Sequence, residues 1–159
     1  MSWEKVLIDG KDFDPDSDLP KSWLEDGIFR YCNFANLNLD VGGFEETLIG
    51  CKFTNVEWYW GLFNCANLLS TRFVNCTFLG SKFADCRLIE CKFEDCRFDL
   101  DNLGGPCGFR NCLLVDTSFD RCQVTLDNPH NHAVFERNRV YGCTQSGCIG
   151  FDMLLEQSA

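Results

Sequence analysis

Twelve cysteines and two histidines are the side chains of this 159-residue chain with the most evident capacity for chemistry. Zinc ligands usually come as C-x₂₋₄-C pairs, whereas the stretch CKFEDCRFDLDNLGG (residues 91–105) places Cys91 and Cys96 five residues apart. His130 and His132, with cysteines downstream at 143 and 148, match no standard zinc spacing either. The sequence therefore predicts no metal site and no cofactor.

The sequence also lacks the standard motifs for catalysis and has only an incomplete motif for calcium binding. G-x-S-x-G, P-loop and G-x-G-x-x-G motifs are missing, so the sequence predicts no catalytic residues and a non-enzymatic protein. Asp14, Asp16, Asp18 and Glu25 fall at positions 1, 3, 5 and 12 of an EF-hand loop. Position 6, which needs glycine for the sharp turn, is Leu19. Calcium binding by this acidic segment stays an open alternative to a simple cap.

Charge and hydropathy exclude several classes of partner. A net charge of −10 argues against binding to nucleic acids or anionic membranes, because both need clustered Lys and Arg. The opening MSWEKVLIDG lacks the pattern of a secretory signal, and no apolar run approaches the roughly 18 residues of a membrane span. We therefore expect a cytoplasmic protein whose thiols stay reduced.

A five-residue period explains the spacing of the cysteines. Counting from residue 53 in steps of five gives eleven consecutive large apolar residues, which we call centres: Phe53, Trp58, Phe63, Leu68, Phe73, Phe78, Phe83, Leu88, Phe93, Phe98 and Leu103. The period slips by one residue at GGPCG and resumes at Phe109, Leu114, Phe119 and Val124. With a one-residue deletion before Phe53, it extends upstream through Phe44, Leu39 and Phe34.

Small residues occupy the position two places before most centres. Nine of the twelve cysteines fall in this slot: Cys32, Cys51, Cys76, Cys86, Cys91, Cys96, Cys107, Cys112 and Cys122. Ala, Ser and Thr fill it elsewhere, so we interpret the cysteines as small hydrophobic residues. A metal ladder or redox relay is the alternative. Stacked coils would hold the Cβ atoms about 4.8 Å apart, outside the usual disulfide range of about 3.5–4.5 Å.

This pattern resembles the pentapeptide-repeat family, with ANLLS, TRFVN, SKFAD and CRLIE as close matches over roughly residues 30–125. The resemblance implies an all-β fold, a right-handed quadrilateral β-helix with one pentapeptide on each side and about five coils. Residues twenty apart should then stack, Phe53 on Phe73 and Phe63 on Phe83, with Leu103 above. We expect residues 1–28 to form an N-terminal cap, with a short helix over SDLPKSWLEDG. Residues 29–125 should form the β-helix, and residues 126–159 a last partial coil and C-terminal cap.

The resemblance also implies a function, since some family members imitate DNA, bind type II topoisomerases and protect them from quinolones or toxins. Here the acids concentrate in residues 1–28, with eight acids and three bases, whereas residues 51–105 have seven acids and six bases. Lys52, Arg72 and Lys92 should form a basic external column. We therefore predict a rigid protein–protein interaction module; the alternative is an acidic DNA mimic that binds DNA gyrase or topoisomerase IV.

Three neighbouring side chains are the candidate partner-binding residues. Tyr59, Trp60 and Leu62 fall at outward positions, and adjacent exposed apolar side chains indicate an interface. The alternative is that they pack beneath the N-terminal cap. The cluster Phe151, Met153, Leu154 and Leu155 could close the β-helix or join two copies, so the expected state is a monomer or a homodimer through the C-terminal segment.

Overall fold

A computed structural model describes residues 6–17, 27–40 and 43–157. Within these residues the chain forms twenty-four short strands and one short helix, α1 (Asp152–Leu155). The strands form four sheets in which every pairing is parallel. From β3 onward, strand n pairs with strand n+4, so the chain visits four faces in turn and the prediction of a right-handed quadrilateral β-helix is confirmed.

Faces 1 and 2 each contain seven strands. Face 1 consists of β1 (Val6–Asp9), β3 (Gly27–Arg30), β7 (Thr47–Ile49), β11 (Asn67–Leu69), β15 (Arg87–Ile89), β19 (Leu113–Val115) and β23 (Arg139–Tyr141). Face 2 consists of β2 (Asp12–Phe13), β4 (Asn33–Ala35), β8 (Lys52–Thr54), β12 (Arg72–Val74), β16 (Lys92–Glu94), β20 (Ser118–Asp120) and β24 (Thr144–Ser146).

Faces 3 and 4 each contain five strands. Face 3 consists of β5 (Asn38–Asp40), β9 (Glu57–Tyr59), β13 (Thr77–Leu79), β17 (Arg97–Asp99) and β21 (Gln123–Val124). Face 4 consists of β6 (Gly43–Phe44), β10 (Leu62–Asn64), β14 (Lys82–Ala84), β18 (Gly108–Arg110) and β22 (Phe135–Glu136). Five complete coils result, with half a coil on faces 1 and 2 at each end.

Aromatic stacks along the axis fill the interior. On face 2 the Phe34, Phe53, Phe73 and Phe93 rings follow one another at centroid distances of 4.4, 4.9 and 4.7 Å, with planes within 10° of parallel. These distances match the roughly 4.8 Å spacing of hydrogen-bonded strands. Each coil therefore contributes one ring of this stack to the interior, and successive rings follow at the spacing of the strands. Thirteen of the fourteen predicted centres beginning at Phe53, leaving out Val124, are buried.

Leu103 is the exception, and its prediction as a centre is wrong, because its side chain is 68% exposed. Phe109 lies eleven positions after Phe98, six more than one repeat. The chain therefore has a six-residue insertion at this place, and the predicted slip of one residue is wrong. Phe109 takes the place predicted for Leu103 and stacks on Phe83 at 4.7 Å. Upstream the one-residue deletion lies between Phe44 and β7, whose buried Leu48 is a centre that the sequence analysis missed.

Most corners between faces use left-handed backbone two residues after the centre. Asn75 and Asp95 have φ of 53°, and Gly50 and Gly80 have φ of 59° and 58°. Glycine, Asn and Asp tolerate this conformation best, which explains their recurrence at this position. Trp60, with φ of 56°, is an unusual occupant.

At each end the chain continues beyond the five complete coils. Ile8 pairs with Phe29 and Phe13 with Phe34, so the segment predicted as a cap includes half a coil that the sequence analysis did not identify. The helix predicted over SDLPKSWLEDG lies almost wholly outside the described residues. At the other end Phe151 is buried, with its ring 4.5 Å from that of Phe119.

Replacing a ring within the stacks should destabilise the fold more than replacing one at the end. We expect Phe73→Ala, between Phe53 and Phe93, to lower the free energy of unfolding by about 3–5 kcal/mol because it opens a cavity. Phe13→Ala, in the first half coil, should cost less. Urea unfolding followed by circular dichroism measures both, and equal losses would contradict a continuous stack.

Candidate interaction site

Two loops on adjacent coils lie at the corner between faces 3 and 4, and each joins a face 3 strand to the next face 4 strand. The first loop, residues 100–106, joins β17 to β18, and the second loop, residues 125–133, joins β21 to β22 in the next coil. Val124 and Phe135 are eleven residues apart, as are Phe98 and Phe109, so each loop adds six residues to the repeat. Within the described coils, these are the places where the five-residue period is lengthened.

Asp101 organises the first loop. Its Oδ1 accepts hydrogen bonds from the backbone N–H groups of Leu103 and Gly105, both at 2.8 Å, and its backbone N–H donates to the Gly105 carbonyl at 2.9 Å. Its Oδ2 accepts the indole N–H of Trp60 at 2.6 Å. Partial desolvation alone would raise the pKa of Asp101, but these hydrogen bonds outweigh it and lower the pKa. The carboxylate is therefore charged at neutral pH and holds the loop against Trp60.

Gly80 provides the space that this loop needs. It lies one coil above Trp60 at the same corner, and a Cβ built on it would come within 2.5 Å of Asp101 Oδ2. The first loop therefore passes over the glycine to reach Trp60. Glycine is required here for this close approach, and it also adopts the positive φ without strain.

The predicted partner-binding residues Tyr59, Trp60 and Leu62 have different surroundings. Tyr59 is half-buried, its hydroxyl donates to the Asn102 side chain and its ring lies 4.8 Å from the Trp60 ring. Both aromatic residues thus anchor the first loop, an arrangement that neither sequence interpretation anticipated. Leu62 is the first residue of β10 on face 4, and its side chain is 44% exposed.

The second loop supports the first. Pro129 packs so closely on Gly104 that a Cβ there would lie 2.4 Å from Pro129 Cγ, and His130 Nε2 donates to the Leu103 carbonyl at 3.0 Å. The backbone N–H of His132 donates to Asn128 Oδ1 at 2.9 Å. These histidines therefore belong to a loop scaffold. Among the described residues no group of three or more His, Cys, Asp or Glu side chains could hold a metal ion.

A cavity of about 650 Å³ lies on face 4 beside the second loop. Outward positions on this face are small at Ala84 and Gly108, which makes the floor low, and Leu62 and His132 contribute to the walls. The charged groups around it already have partners, because Lys82 Nζ donates to the Pro106 carbonyl and Arg110 lies 3.8 Å from a Glu136 oxygen. Desolvation lowers the pKa of Lys82. The cavity thus offers an apolar floor with a mixed, neutralised rim.

The thiols of the small slot donate weak hydrogen bonds to backbone carbonyls. Cys91 Sγ lies 3.1 Å from the Leu68 carbonyl of the preceding coil, and Thr117 Oγ1 makes the same contact to Leu88 O at 3.1 Å. The slot therefore favours a small side chain that can also donate. The eight predicted cysteines from Cys51 to Cys122 are all buried, and each described cysteine is a free thiol.

Burial keeps several of these thiols protonated. Desolvation raises the pKa of Cys51 to about 11 and that of Cys91 and Cys107 to about 12. Thiolates are the reactive and metal-binding form of cysteine, so these three side chains are inert at neutral pH.

The described part of the chain includes no helix with the length and apolar character needed to cross a membrane.

Comparisons with known proteins find similarity in structure alone. No family model matches the sequence, and no curated protein matches it. A trypsin-treated form of QnrB1, a plasmid-mediated fluoroquinolone resistance protein, is 14% identical with a TM-score of 0.45, over 91% of this chain and 67% of that chain. HetL, a pentapeptide repeat protein involved in heterocyst differentiation regulation from the cyanobacterium Nostoc, is 9% identical with a TM-score of 0.37, over 91% and 83%.

These likenesses are too distant to transfer a function. The deciding observation lies in this chain, where strands twenty residues apart pair in register, Phe63 with Phe83 and Leu68 with Leu88, with one pentapeptide on each face. The chain has the pentapeptide-repeat fold. In this fold the inward residues are committed to packing, so specificity must come from outward side chains and from departures from the repeat.

The contact between Gly80 and Asp101 can be tested with a matched glycine. Gly80→Ala adds a Cβ in left-handed backbone and displaces the first loop, whereas Gly10→Ala adds one at φ of 64° with no heavy atom within 4 Å. We expect Gly80→Ala to cost about 1–3 kcal/mol more and to change Trp60 fluorescence. Urea unfolding and emission spectra measure this, and equal costs would show that Gly80 serves backbone conformation alone.

The buried thiols should give the protein a stability that falls in alkali. Above about pH 9 an unfolded thiol loses its proton, but folded Cys51 retains its proton until about pH 11. The unfolded state then binds fewer protons, so the free energy of unfolding falls as pH rises through this window. We expect Cys51→Ala to flatten the fall between about pH 9 and about pH 11, and Cys65→Ala, at an exposed position, to leave it unchanged. Identical slopes in both variants, measured by urea titration, would contradict burial of Cys51.

Proposed function

We propose that this pentapeptide-repeat protein is a non-enzymatic interaction module that binds another protein at the corner between faces 3 and 4. The observation that carries the proposal is the pair of loops on adjacent coils, each of which adds six residues to the repeat. The second loop lines the face 4 cavity. Loops held on a rigid scaffold commonly carry recognition. Their contacts through Asp101, Trp60 and Pro129 hold them in one arrangement, which lowers the entropic cost of binding.

Exposed apolar side chains support this surface. Leu103, in the first loop, is 68% exposed, and Leu62 faces the solvent at the cavity. Neither contributes to the interior, so the fold does not require leucine at either position. An exposed leucine at the cavity, with a second exposed leucine on the first loop, suits the burial of a partner's side chains.

The charges on the coils do not favour the alternative of a DNA mimic. Several acidic groups are paired with bases: Arg72 lies 2.8 Å from a Glu94 oxygen, and Arg121 lies 2.8 Å from oxygens of Asp95 and Asp120. The basic column Lys52–Arg72–Lys92 is in register on face 2. Seven strands span about 29 Å at the usual strand spacing, less than the ~34 Å of one turn of DNA.

Paired substitutions test the proposal. Wild-type protein and the double variant Leu62→Asp, Leu103→Asp are used to capture binding proteins from the native host, and the affinity of the captured protein is then measured by calorimetry. We expect the double variant to bind at least about tenfold more weakly, as for truncation of a binding hot spot. The control is Ile149→Asp, Met153→Asp, which removes two exposed apolar side chains at the C-terminal end and should bind like the wild type.

Loss of binding in the control alone would place the interface at the C-terminal end instead. Equal binding by all three proteins would contradict the proposal. Supercoiling by DNA gyrase, with or without a quinolone, should be unaffected by the protein, and protection from the quinolone would support the DNA mimic.

A further inference from the structure

An unbroken apolar column runs along the outside of face 1. Its members stand in register at the third position of successive strands: Ile49, Leu69, Ile89, Val115 and Tyr141. The first four are half-buried by one another and Tyr141 is 45% exposed. We call this column the face 1 stripe.

The fold does not require apolar residues at this outward position. The equivalent column is polar or charged at several coils on the other faces: Thr54, Glu94 and Asp120 on face 2, Asp40 and Asp99 on face 3, and Asn64, Arg110 and Glu136 on face 4. Five consecutive apolar residues on face 1 therefore depart from the pattern of this chain, and an extended exposed apolar surface is typical of a binding site.

Charged residues flank the stripe with opposite signs. Glu90 and Asp116 occupy the corner positions directly after Ile89 and Val115, whereas Arg87 and Arg139 stand at the first positions of β15 and β23 on the other side. A hollow of about 490 Å³ lies along the acidic side, lined by Ser70, Thr71, Arg72, Glu90, Lys92 and Asp116. The charge of Arg72 is matched there by Glu94, and Lys92 remains as a base at its far edge.

The size of the stripe suits one helix rather than a second copy of this chain. The five strands of the stripe span four strand spacings, about 19 Å, and a helix with its side chains is about 10–12 Å wide. Length times width gives the stripe an area of about 210 Å², far below the roughly 800 Å² per partner of a stable interface between two proteins. A partner that uses this stripe is therefore expected to be a slender segment.

The spacing along the stripe favours a helix over an extended segment. One helical turn advances 5.4 Å, close to the roughly 4.8 Å between coils, so each turn can place one apolar side chain near each coil. An extended strand repeats its side chains on one face every ~6.6 Å, which loses the match within two coils. Because the face 1 strands already pair with one another, a segment lying along the axis cannot join their hydrogen bonds.

We propose that the face 1 stripe binds an amphipathic α-helix of a partner protein, about 13 residues long and parallel to the β-helix axis. Basic side chains on one flank of this helix face Glu90 and Asp116, and acidic side chains on the other face Arg87 and Arg139. This surface is separate from the corner between faces 3 and 4 and extends the proposed function to a second binding site.

The probe is a synthetic 18-residue peptide with leucines alternately three and four residues apart, lysines on one flank and glutamates on the other. A control peptide has the same composition in scrambled order. Binding to the full chain is followed by fluorescence anisotropy, and helix formation by circular dichroism. We expect saturable binding of the patterned peptide with a gain of helix, and binding at least about tenfold weaker for the scrambled peptide.

Matched variants locate the site. Leu69→Lys and Ile89→Lys interrupt the stripe, whereas Val74→Lys makes the same change at the equivalent position of face 2, where Val74 is also half-buried. We expect the first two to weaken binding at least tenfold and the third to leave it within twofold. Exchanging the flanking lysines and glutamates of the peptide should weaken binding at low salt, and this difference should shrink at high salt.

Lack of saturable binding, or equal binding by the Leu69→Lys and Val74→Lys variants, would overturn the proposal. A dimer in sedimentation equilibrium that Leu69→Lys dissociates would overturn it in favour of a second copy. The variant Leu62→Asp, Leu103→Asp should bind the peptide like the wild type, so this test and that of the proposed function can fail independently.

Discussion

The stacking of inward side chains at the spacing of hydrogen-bonded strands is the constraint on which the rest of this structure depends. The rings of Phe53, Phe73 and Phe93 repeat every 4.7–4.9 Å, the interval at which the backbone of each coil pairs with the next. The strand pairing and the ring stacking can both continue along the axis only when successive coils place the same number of residues on each face. The small slot follows from the same constraint, since a thiol or hydroxyl beside each ring also bonds a carbonyl of the coil below.

This constraint leaves two kinds of freedom. Outward side chains do not affect the stacks, so face 1 can carry an apolar stripe while face 2 carries a basic column. Corners can also accept extra residues, because a loop that leaves and re-enters at one corner does not disturb the strands before and after it. Both loops lie at the corner between faces 3 and 4, where Gly80 makes room for Asp101 and Trp60 binds it. Both candidate interaction sites thus lie at outward positions and corners, where the stacking of the interior does not fix the residue type.

The sequence alone predicted the fold because every fifth residue contributes to one interior, and the ten correct centres in a row from Phe53 to Phe98 fit neither a helix nor an alternating strand. It failed at Leu103, since an apolar residue stood at the expected interval while a six-residue insertion had moved the true centre to Phe109. Counting from the small slot at Cys107 would have shown the shift. The anchoring of Tyr59 and Trp60 by Asn102 and Asp101 could not be predicted, because it joins residues some forty positions apart through a loop outside the repeat. Asn, Asp and Gly recur two residues after the centres and indicate left-handed backbone at the corners, a signal that the sequence analysis missed.

Insertions at two positions test most directly whether the chain is held by the interval between its centres. One alanine inserted between Arg72 and Phe73 shifts the alternation within a strand and turns the following side chains to the opposite side, whereas six Gly/Ser residues inserted after Asn75 only lengthen a corner. Urea unfolding should show that the single alanine abolishes or severely weakens the cooperative transition, while the six-residue insertion costs about 1–2 kcal/mol, of the order expected for closing a longer loop. Equal tolerance of both insertions, or greater damage from the longer one, would contradict the account.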